Sequence, residues 1–549
     1  MRTLAIFLLC LLGYVCHRWL VLDGSLPLMF DANEAEYGFF RALLPYLDMP
    51  IQKVVWNPQT RGEFLNACRT VGNQMHGSLA VAGYVLLKIL QTEPRPQMGT
   101  WLLKTMAIFY SAIGLTGWLV GLWRALPREK SHWAMVSFGM LYTFAPPVFV
   151  KITVLHWGTH EMANAALGIM MAFALPWWLT PCTNRNLVVR GALLGIFIAA
   201  LPMFNYSLLL VIGLVMGTWL LERLTFGTRA IRLRTLALFG LAIGIGYALL
   251  SKILASGFFY GLGFPKNLPT DSFLMLAGKQ GRPFLSESTG GGVHLAALLK
   301  SEVWSDGMQW LPGPAWGKGW ADLEQLTKGA LLILAGILWP VRVIRGEQAT
   351  DSLRLAGLLG LSWLIGWMAI SLLCVGFSID GGAPMGVTPR YYTLLYPIGF
   401  ACLSCCALWL GRWAAFPWAI IIGLGVQDSL RYIDLSSSAT HYDATALYFR
   451  DRPEPMPTTV QLPLVEKGED WLFGYSLIQR FQYRQYWKYW TASEKYSLPI
   501  QAMVTQHRQS ARNKVNNSED FEAGMQAALQ TLYPQTATEW LKAQLEVPP

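Results

Sequence analysis

Three carboxylates stand close together in the segment FDANEAEYGFF at 30–40, namely Asp31, Glu34 and Glu36. They follow a long apolar run. A charged carboxylate next to the apolar core of a membrane costs free energy unless it is exposed to water or paired with a positive charge. A carboxylate held at a membrane surface can take the proton of a hydroxyl group that a lipid-borne substrate meets there. In a plainer interpretation, Asp31 caps a helix that starts near Asn33 and the acids are solvated.

A second polar group interrupts the apolar sequence VLHWGTHEMANAAL at 154–167. It contains His156, His160 and Glu161, which we place at the mouth of the next apolar run. The spacing is HExxN and lacks the second histidine of HExxH, so a zinc-protease helix is excluded. Contact with a substrate is the favoured interpretation, while a metal site and simple interfacial polarity stay open.

Arg390 and Tyr391 lie in TPRYYTLLYP at 388–397, which leads into another apolar run. A guanidinium presents two parallel N–H donors to a phosphate, whereas a lysine presents a point charge. The residue types therefore predict a phosphate contact. The alternative is that Arg390 only reaches to lipid headgroups.

The long segment at 257–326 contains GKQGRPF and STGGGVH. These glycines do not form a phosphate-binding P-loop, because no Gly-Lys-Ser/Thr follows them. A Gly-hinged lid over a site and a plain long loop are both consistent with the pattern.

Apolar runs must position these residues, and eleven runs are long enough, or nearly so, for a helix of about 20 residues that crosses a bilayer. They are 4–22, 101–123, 133–150, 162–180, 187–204, 206–221, 235–256, 327–344, 355–378, 392–410 and 414–427. Pro202 and Asn205 predict a turn between the fifth and the sixth. The first run lacks a small-residue cleavage pattern, which favours an uncleaved anchor.

Loop charges predict the orientation, because short cytoplasmic loops collect Lys and Arg. The stretch at 77–91 decides to which side of the membrane each later loop is assigned, because all of these loops change side if the stretch spans the membrane. If it lies flat, most basic residues of the short loops share the side of the N-terminus: Arg124, Arg128, Lys130, Arg185, Arg190, Arg223, Arg229, Arg232, Arg234, Arg342, Arg345, Arg354 and Arg412. The other short loops hold Lys151 and Arg390. We therefore predict a cytoplasmic N-terminus and a flat outer helix at 77–91.

This orientation places the long polar segments on the outer face, where function is expected. They are 23–100, 151–161, 257–326, 379–391 and the tail at 428–549. The tail has dense mixed charge and no run long enough to span. We predict a transmembrane domain at 1–427 and a small, mostly helical outer domain at 428–549.

The composition agrees with a membrane protein. Of 549 residues, 53% are hydrophobic and only 14% are charged, against roughly a quarter charged in ordinary globular proteins. This excludes a disordered chain and a disulfide-stapled secreted domain. The eight cysteines lie mostly in or beside apolar runs, without a His-rich ligand spacing, and so indicate no zinc site. A net charge of +10 indicates cytoplasmic loops rather than a nucleic-acid partner.

Three short motifs occur in a particular order: NEAEY at 33–37, GSL at 77–79, and Arg390-Tyr391 with Pro397 after it. In this layout the chain resembles the polyprenyl-phosphate-dependent glycosyltransferases of the multi-span GT-C fold. Relatives of that family include the protein O-mannosyltransferases and the lipid A aminoarabinose transferase. In that family an Asp-Glu pair follows the first span, an outer interfacial helix comes next, and an Arg-Tyr pair opens a late span. The resemblance covers 1–430 in layout.

The resemblance implies an all-α, GT-C-like bundle with outer interfacial helices, in a cell membrane of the bacterial inner-membrane kind. It implies a glycosyltransferase that moves a sugar, with inversion, from a polyprenyl-phosphate donor to a lipid, glycan or protein acceptor on the outer face. A carboxylate of the first outer loop would be the general base, and Arg390 would hold the leaving phosphate. Glu36, His156, His160, Glu161 and Tyr391 would contact substrates. Some members use a divalent metal and others do not, so the cofactor stays open.

One position departs from the family pattern. The family's Asp falls on Asn33, and an amide cannot accept a proton as a base. Asp31 lies two residues earlier, and Glu34 keeps the acidic partner. The resemblance therefore predicts that Asp31 or Glu34 is the catalytic base.

Two other functional classes stay open. A lipid or sugar transporter usually places ionisable groups inside its spans and contains internal repeats. We expect no acid or base in the interior of the spans 101–123, 133–150 and 206–221, and the chain shows no repeat, which favours an enzyme. A non-catalytic membrane scaffold is the third class, because Asn33 replaces the family's acid.

Overall fold

The computed structural model describes residues 2–25, 44–46, 48–71, 77–90, 96–145, 147–154, 160–179, 184–200, 207–257, 318–345, 350–373, 393–437, 471 and 517–532. Its α-helices in these ranges are α1 Arg2–Ser25, α2 Ile51–Trp56, α3 Pro58–Val71, α4 Gly77–Leu90, α5 Pro96–Ala125, α6 Arg128–Thr143, α7 Pro147–Val154, α8 His160–Leu179, α9 Asn184–Ala200, α10 Ser207–Phe226, α11 Arg229–Leu241, α12 Tyr247–Ala255, α13 Lys318–Arg345, α14 Asp351–Leu373, α15 Leu395–Leu410, α16 Ala415–Ser437 and α17 Ser518–Leu532. The part of the chain that is described contains no strand.

Six described segments are long and apolar enough to cross a membrane. They are Arg2–Val21, Lys104–Ala125, His160–Leu179, Arg229–Ala255, Asp351–Ala369 and Leu395–Val426. The prediction of an all-α polytopic membrane protein is therefore confirmed. The segment Arg229–Ala255 is α11 and α12 joined by one π-helical turn at Ala242–Gly246.

The last of these segments contains two predicted spans, 392–410 and 414–427, and a turn separates them. Gly411 ends α15 with a φ of 57°, a left-handed conformation that glycine adopts at little cost. A Cβ atom on Gly425 of α16 would lie 3.2 Å from the carbonyl oxygen of Phe144. Tyr396, near the start of α15, stacks within 5.3 Å of Phe149 in the same region. The two helices therefore run in opposite directions.

The prediction of one span at 133–150 is wrong, because the structure divides it between α6 and α7. The sequence at the break is Ala145-Pro146-Pro147. Proline has no N–H to donate to the carbonyl four residues earlier, and its ring clashes with that carbonyl. The α6 helix therefore ends at Thr143, and Pro147 takes the first position of α7, where a missing N–H costs nothing.

Contacts between helices fix their relative directions. Helix α1 runs parallel to α6, because Thr3 hydrogen-bonds His132 at 2.9 Å and Arg18 bonds Thr143 at 2.7 Å. Helix α5 runs antiparallel to α6, because Tyr142 donates to the carbonyl of Ser111, while the earlier Phe138 stacks on the later Trp118 with ring centres 5.7 Å apart. Helices α1 and α5 are therefore antiparallel. Helix α4 has 14 residues and is about 21 Å long, shorter than the roughly 30 Å of a bilayer core.

Helices α2, α3 and α4 form a small cluster beside the starts of α5 and α8. Its buried side chains include Val54 of α2, Phe64 of α3 and Tyr84 of α4. They pack against Met106 and Met162, which belong to α5 and α8. The segment Gly77–Leu90 is thus a short helix packed at one end of the bundle, and its flat position at a membrane surface stays a prediction.

Helices α5 and α8 run parallel and approach each other through glycines. A Cβ on Gly117 would collide with the backbone of Gly168, and one on Gly121 would lie 2.6 Å from the carbonyl oxygen of Met171. Small residues at a helix interface allow close backbone packing, which stabilises helix pairs in membranes without help from the hydrophobic effect. The close pair holds the start of α8 in a fixed position beside α5.

Glu222 links three helices at the end of the bundle opposite the start of α8. Its carboxylate accepts hydrogen bonds from Trp339 at 2.8 Å, Arg354 at 3.2 Å and Arg342 at 3.4 Å. Its side chain is only 1% exposed, so these donors compensate the burial of its charge. The contact fixes the ends of α10 and α13 and the start of α14.

The division into domains at 427 stays a prediction. Helix α16 continues past this position to Ser437. In the tail, the structure describes the helix α17, Ser518–Leu532, and the backbone of Trp471 packs against Gly524.

Candidate functional site

One end of the bundle collects buried polar side chains, and we call it the polar end. It contains the C-terminal ends of α1 and α6 and the N-terminal ends of α5, α8 and α15. Its buried polar residues are Arg18, Lys104, Thr143, Thr153, His160, Glu161, Asn164 and Thr393. Burial of this many polar groups is unfavourable in an apolar bundle unless they bond to one another or to a ligand.

Arg18 of α1 fills the gap that the proline pair leaves. Its guanidinium donates to the carbonyl oxygens of Tyr142 at 2.9 Å and Thr143 at 2.7 Å. In a continuous helix these two carbonyls would bond the N–H groups of residues 146 and 147, which are both proline. The Arg18 Nε also donates to the Thr153 hydroxyl at 2.6 Å, so one side chain holds α6 and α7 together.

A chain of hydrogen bonds continues from this point to α8. Asn164 donates to the hydroxyl of Tyr142 at 2.5 Å, and that hydroxyl donates to the carbonyl of Ser111 at 2.9 Å. Asn164 lies one turn after His160 and Glu161 on α8. The polar end is therefore continuous from α1 through α6 to the start of α8.

His160 and Glu161 are the predicted site residues that the structure describes. Both belong to the first turn of α8, at the start of the predicted span, and are buried, with 5% and 1% of their surface exposed. His160 lies 3.4 Å from the Thr393 hydroxyl, measured from Nδ1 to Oγ1. A carboxylate in the first turn is favoured by the partial positive charge of the helix N-terminus. Lys104 of α5 is fully buried at the same end.

The other predicted site residues lie outside the described residues. They are Asp31, Glu34, Glu36, His156, Arg390 and Tyr391. In the sequence, the acids follow α1, His156 precedes α8, and Arg390 and Tyr391 precede α15. The helix ends to which these segments connect all belong to the polar end.

The described residues do not form a metal site by themselves. Within the described ranges, no group of three His, Cys, Asp or Glu side chains lies close enough to hold a metal ion. Residues next to each other in a helix, such as His160 and Glu161, point about 100° apart and do not face one another. A site that used both would need ligands from other segments.

Sequence reasoning missed Arg18, Lys104, Asn164 and Thr393. Arg18 had a signal, because an arginine inside an apolar run needs partners and the Pro146-Pro147 pair frees two carbonyls elsewhere. Lys104 belongs to the predicted span 101–123 and was readable there as an intramembrane charge. Asn164 and Thr393 had no local signal, since their partners are 22 and 233 residues away.

Comparison with known proteins gives one structural likeness. No family model matches the chain, and no curated protein matches its sequence. The crystal structure of the Archaeoglobus fulgidus oligosaccharyltransferase in the apo form is similar, with 12% sequence identity and a TM-score of 0.37. The similarity covers 91% of this chain, which spans 60% of the length of that protein. The chain's own residues must therefore support any functional assignment.

Proposed function

We propose that this chain is a membrane glycosyltransferase that moves a sugar from a polyprenyl-phosphate donor to a lipid, glycan or protein acceptor on the outer face. The observation that supports this best is the common position of the helix ends at the polar end. The acidic segment, the His156–Glu161 segment and Arg390 all connect to those ends. A base, polar contacts for a sugar and a phosphate ligand are the groups that this transfer requires.

The reaction is a displacement at the anomeric carbon of the sugar. The acceptor hydroxyl oxygen attacks that carbon, and Asp31 or Glu34 takes the hydroxyl proton. The bond between the anomeric carbon and the phosphate oxygen breaks, and polyprenyl phosphate leaves with the electron pair. Arg390 stabilises the negative charge that grows on this phosphate. Attack from the face opposite the phosphate inverts the anomeric centre.

The remaining polar residues serve to hold the substrates. Glu36, His156, His160 and Tyr391 contact the sugar or the acceptor in this proposal. Glu161, which is buried in the first turn of α8, contacts the substrates as well in this proposal. The close packing of α5 on α8 keeps the contact between His160 and Thr393 in place, because it fixes the start of α8.

A transfer assay with purified variants tests the proposal. The donor is a polyprenyl-phosphate sugar in proteoliposomes, and the readout is the loss of sugar from the lipid. Asp31→Asn and Glu34→Gln should reduce the rate by about 100- to 10,000-fold, as expected for loss of a general base. Glu36→Gln is the matched control and should reduce it less. Near-parental rates for both Asp31→Asn and Glu34→Gln would eliminate the proposed mechanism.

A lipid or sugar transporter is the second candidate, and buried ionisable groups favour it. Arg18, Lys104 and Glu161 lie within helices that can span, which is typical of transport pathways. Arg18, however, is held by hydrogen bonds to α6 and α7, so its charge is structural. The same proteoliposomes separate the two functions. A transporter moves the intact lipid-linked sugar across the bilayer, whereas an enzyme cleaves the sugar from its phosphate.

A further inference from the structure

A second polar feature lies at the end of the bundle opposite the polar end. A narrow cleft opens between the C-terminal turns of α8 and α10 and the first turns of α9 and α11. The polar and aromatic residues that line it are Trp177, Arg190, Trp219, Arg223, Arg234 and Thr235.

The cleft contains positive charge that no lining carboxylate balances. Three arginines line it, and none of its lining residues is acidic. Arg223 is 6% exposed and donates to the carbonyl oxygens of Trp177 at 2.8 Å and Trp178 at 2.6 Å. The neighbouring Glu222 does not line the cleft, and its carboxylate bonds to Trp339 and two arginines on α13 and α14.

Two buried donors of the cleft have no partner among the described residues. They are Nη1 of Arg190 and Nε1 of Trp219, and the side chain of Trp219 is 3% exposed. The Arg190 guanidinium also lies 5.7 Å from the centre of the Trp177 ring, a cation–π contact that orients it. Buried donors are nearly always bonded in folded proteins, so unsatisfied ones that line a cleft indicate a missing acceptor.

The helices beside the cleft present apolar side chains outward. On α9 these are Val188, Val189 and Leu193, and on α11 they are Leu233 and Leu236. An apolar surface next to a basic cleft matches a ligand with a charged head and acyl chains. Basic pockets between membrane helices commonly bind anionic lipid headgroups, above all on the cytoplasmic side.

We propose that this cleft binds the phosphate of an anionic phospholipid headgroup. Arg190, Arg234 and the indole N–H of Trp219 donate to the phosphate oxygens, while Arg223 provides charge from its fixed position on α10. The acyl chains lie along the outer surfaces of α9 and α11. Inorganic phosphate has the same head chemistry without the chains, so it is the second source that an experiment must separate.

Lipid binding to the purified full-length chain tests the proposal. The probe is dihexanoyl phosphatidylglycerol, titrated while the thermal unfolding midpoint is measured, since a ligand of the folded state raises this midpoint. Dihexanoyl phosphatidylcholine and inorganic phosphate are titrated in parallel. We expect phosphatidylglycerol to raise the midpoint at lower concentrations than either of them. Equal effects of phosphatidylglycerol and phosphatidylcholine, or of phosphatidylglycerol and inorganic phosphate, would overturn the lipid assignment.

Variants of the lining residues test whether phosphatidylglycerol binds in this cleft. Arg190→Gln and Arg234→Gln should each raise the apparent Kd for phosphatidylglycerol by about tenfold, as loss of a charged hydrogen bond predicts. Trp219→Phe keeps an aromatic ring but removes the N–H, and it should raise the apparent Kd less. Arg229→Gln is the matched control, because Arg229 is exposed on the same helix and outside the cleft. The thermal unfolding midpoint of each variant without lipid shows whether the substitution itself destabilises the protein. Parental affinity in both Arg190→Gln and Arg234→Gln would overturn the proposal.

Discussion

Nη1 of Arg18 lies 2.7 Å from the carbonyl oxygen of Thr143 and donates a hydrogen bond to it. The two residues are 125 positions apart, and the bond compensates for a donor that Pro147 lacks. A charged residue in an apolar helix is thus explained by a proline pair in a different helix. The break between α6 and α7 lies beside the start of α15, so this bond also shapes the polar end.

Loss of the Arg18 guanidinium should destabilise the fold. Arg18→Met keeps an apolar stem but leaves the carbonyls of Tyr142 and Thr143 buried without donors. Each unsatisfied buried group costs about 1–3 kcal/mol, so the free energy of unfolding should fall by roughly 2–6 kcal/mol. Unfolding in mixed detergent micelles, followed by helical circular dichroism, measures it. Arg2→Met on the same helix is exposed and should change little. Equal stability of the two variants would refute the role of Arg18.

The glycine contact between α5 and α8 predicts a second stability effect. Gly117→Ala places a methyl group against the backbone of Gly168, so the helices must separate. Overpacking of this kind typically costs about 1–3 kcal/mol. Gly213→Ala on α10 is the control, because a Cβ there meets nothing within 4 Å. The same unfolding assay compares them, and a Gly117→Ala protein as stable as Gly213→Ala would show that the interface adapts.

The sequence predicted the helices better than their contacts. Hydropathy located most of the bundle helices to within about six residues at each end, because a bilayer demands apolar runs of a fixed length. Helix α13 begins nine residues earlier, and α16 ends ten residues later, than the apolar runs predict. It joined α6 and α7 because hydropathy does not register a missing N–H, although Pro146-Pro147 was visible. The interfacial position of α4, inferred from loop charge, stays a prediction. The chemistry of each residue type was readable, as with Arg390.

The site was less predictable than the fold, because its residues meet only through tertiary packing. His160 and Glu161 were chosen for their residue types, but their burial follows from the close approach of α5 and α8. Thr393 became part of the site only through its 3.4 Å contact with His160. No local pattern encodes a contact between residues so distant in sequence.

The predicted orientation can be tested by labelling. A cysteine introduced at Ile500 in a cysteine-free background should react with a membrane-impermeant maleimide on intact cells, because the tail is predicted to lie outside. Thr350→Cys is the matched position, in the exposed connection between α13 and α14 at the other end of the bundle. It should react only after the membrane is permeabilised. The reverse pattern would invert the orientation and remove the outer-face site from the proposed function.

Arg390 provides the sharpest test of donor binding. It is the only basic residue of the segment at 379–391, on the side where basic residues are scarce, and it comes three residues before Thr393. A phosphate needs directed donors, which guanidinium supplies in pairs and an ammonium does not. Arg390→Lys should therefore weaken use of the polyprenyl-phosphate donor, and Arg390→Ala should weaken it more.

The size of the Arg390 effect follows from charged hydrogen bonds, which contribute about 1.5–3 kcal/mol, or roughly 10- to 200-fold in apparent donor affinity or rate. Both variants should remain folded and inserted, because an interfacial arginine adds little to the stability of the bundle. Arg412→Ala is the control, since Arg412 is exposed just after the opposite end of α15 and should leave donor use unchanged. Transfer is measured at limiting donor concentration with folded protein. If Arg390→Ala transfers sugar as fast as Arg412→Ala, Arg390 only anchors the chain among headgroups, and other residues hold the phosphate.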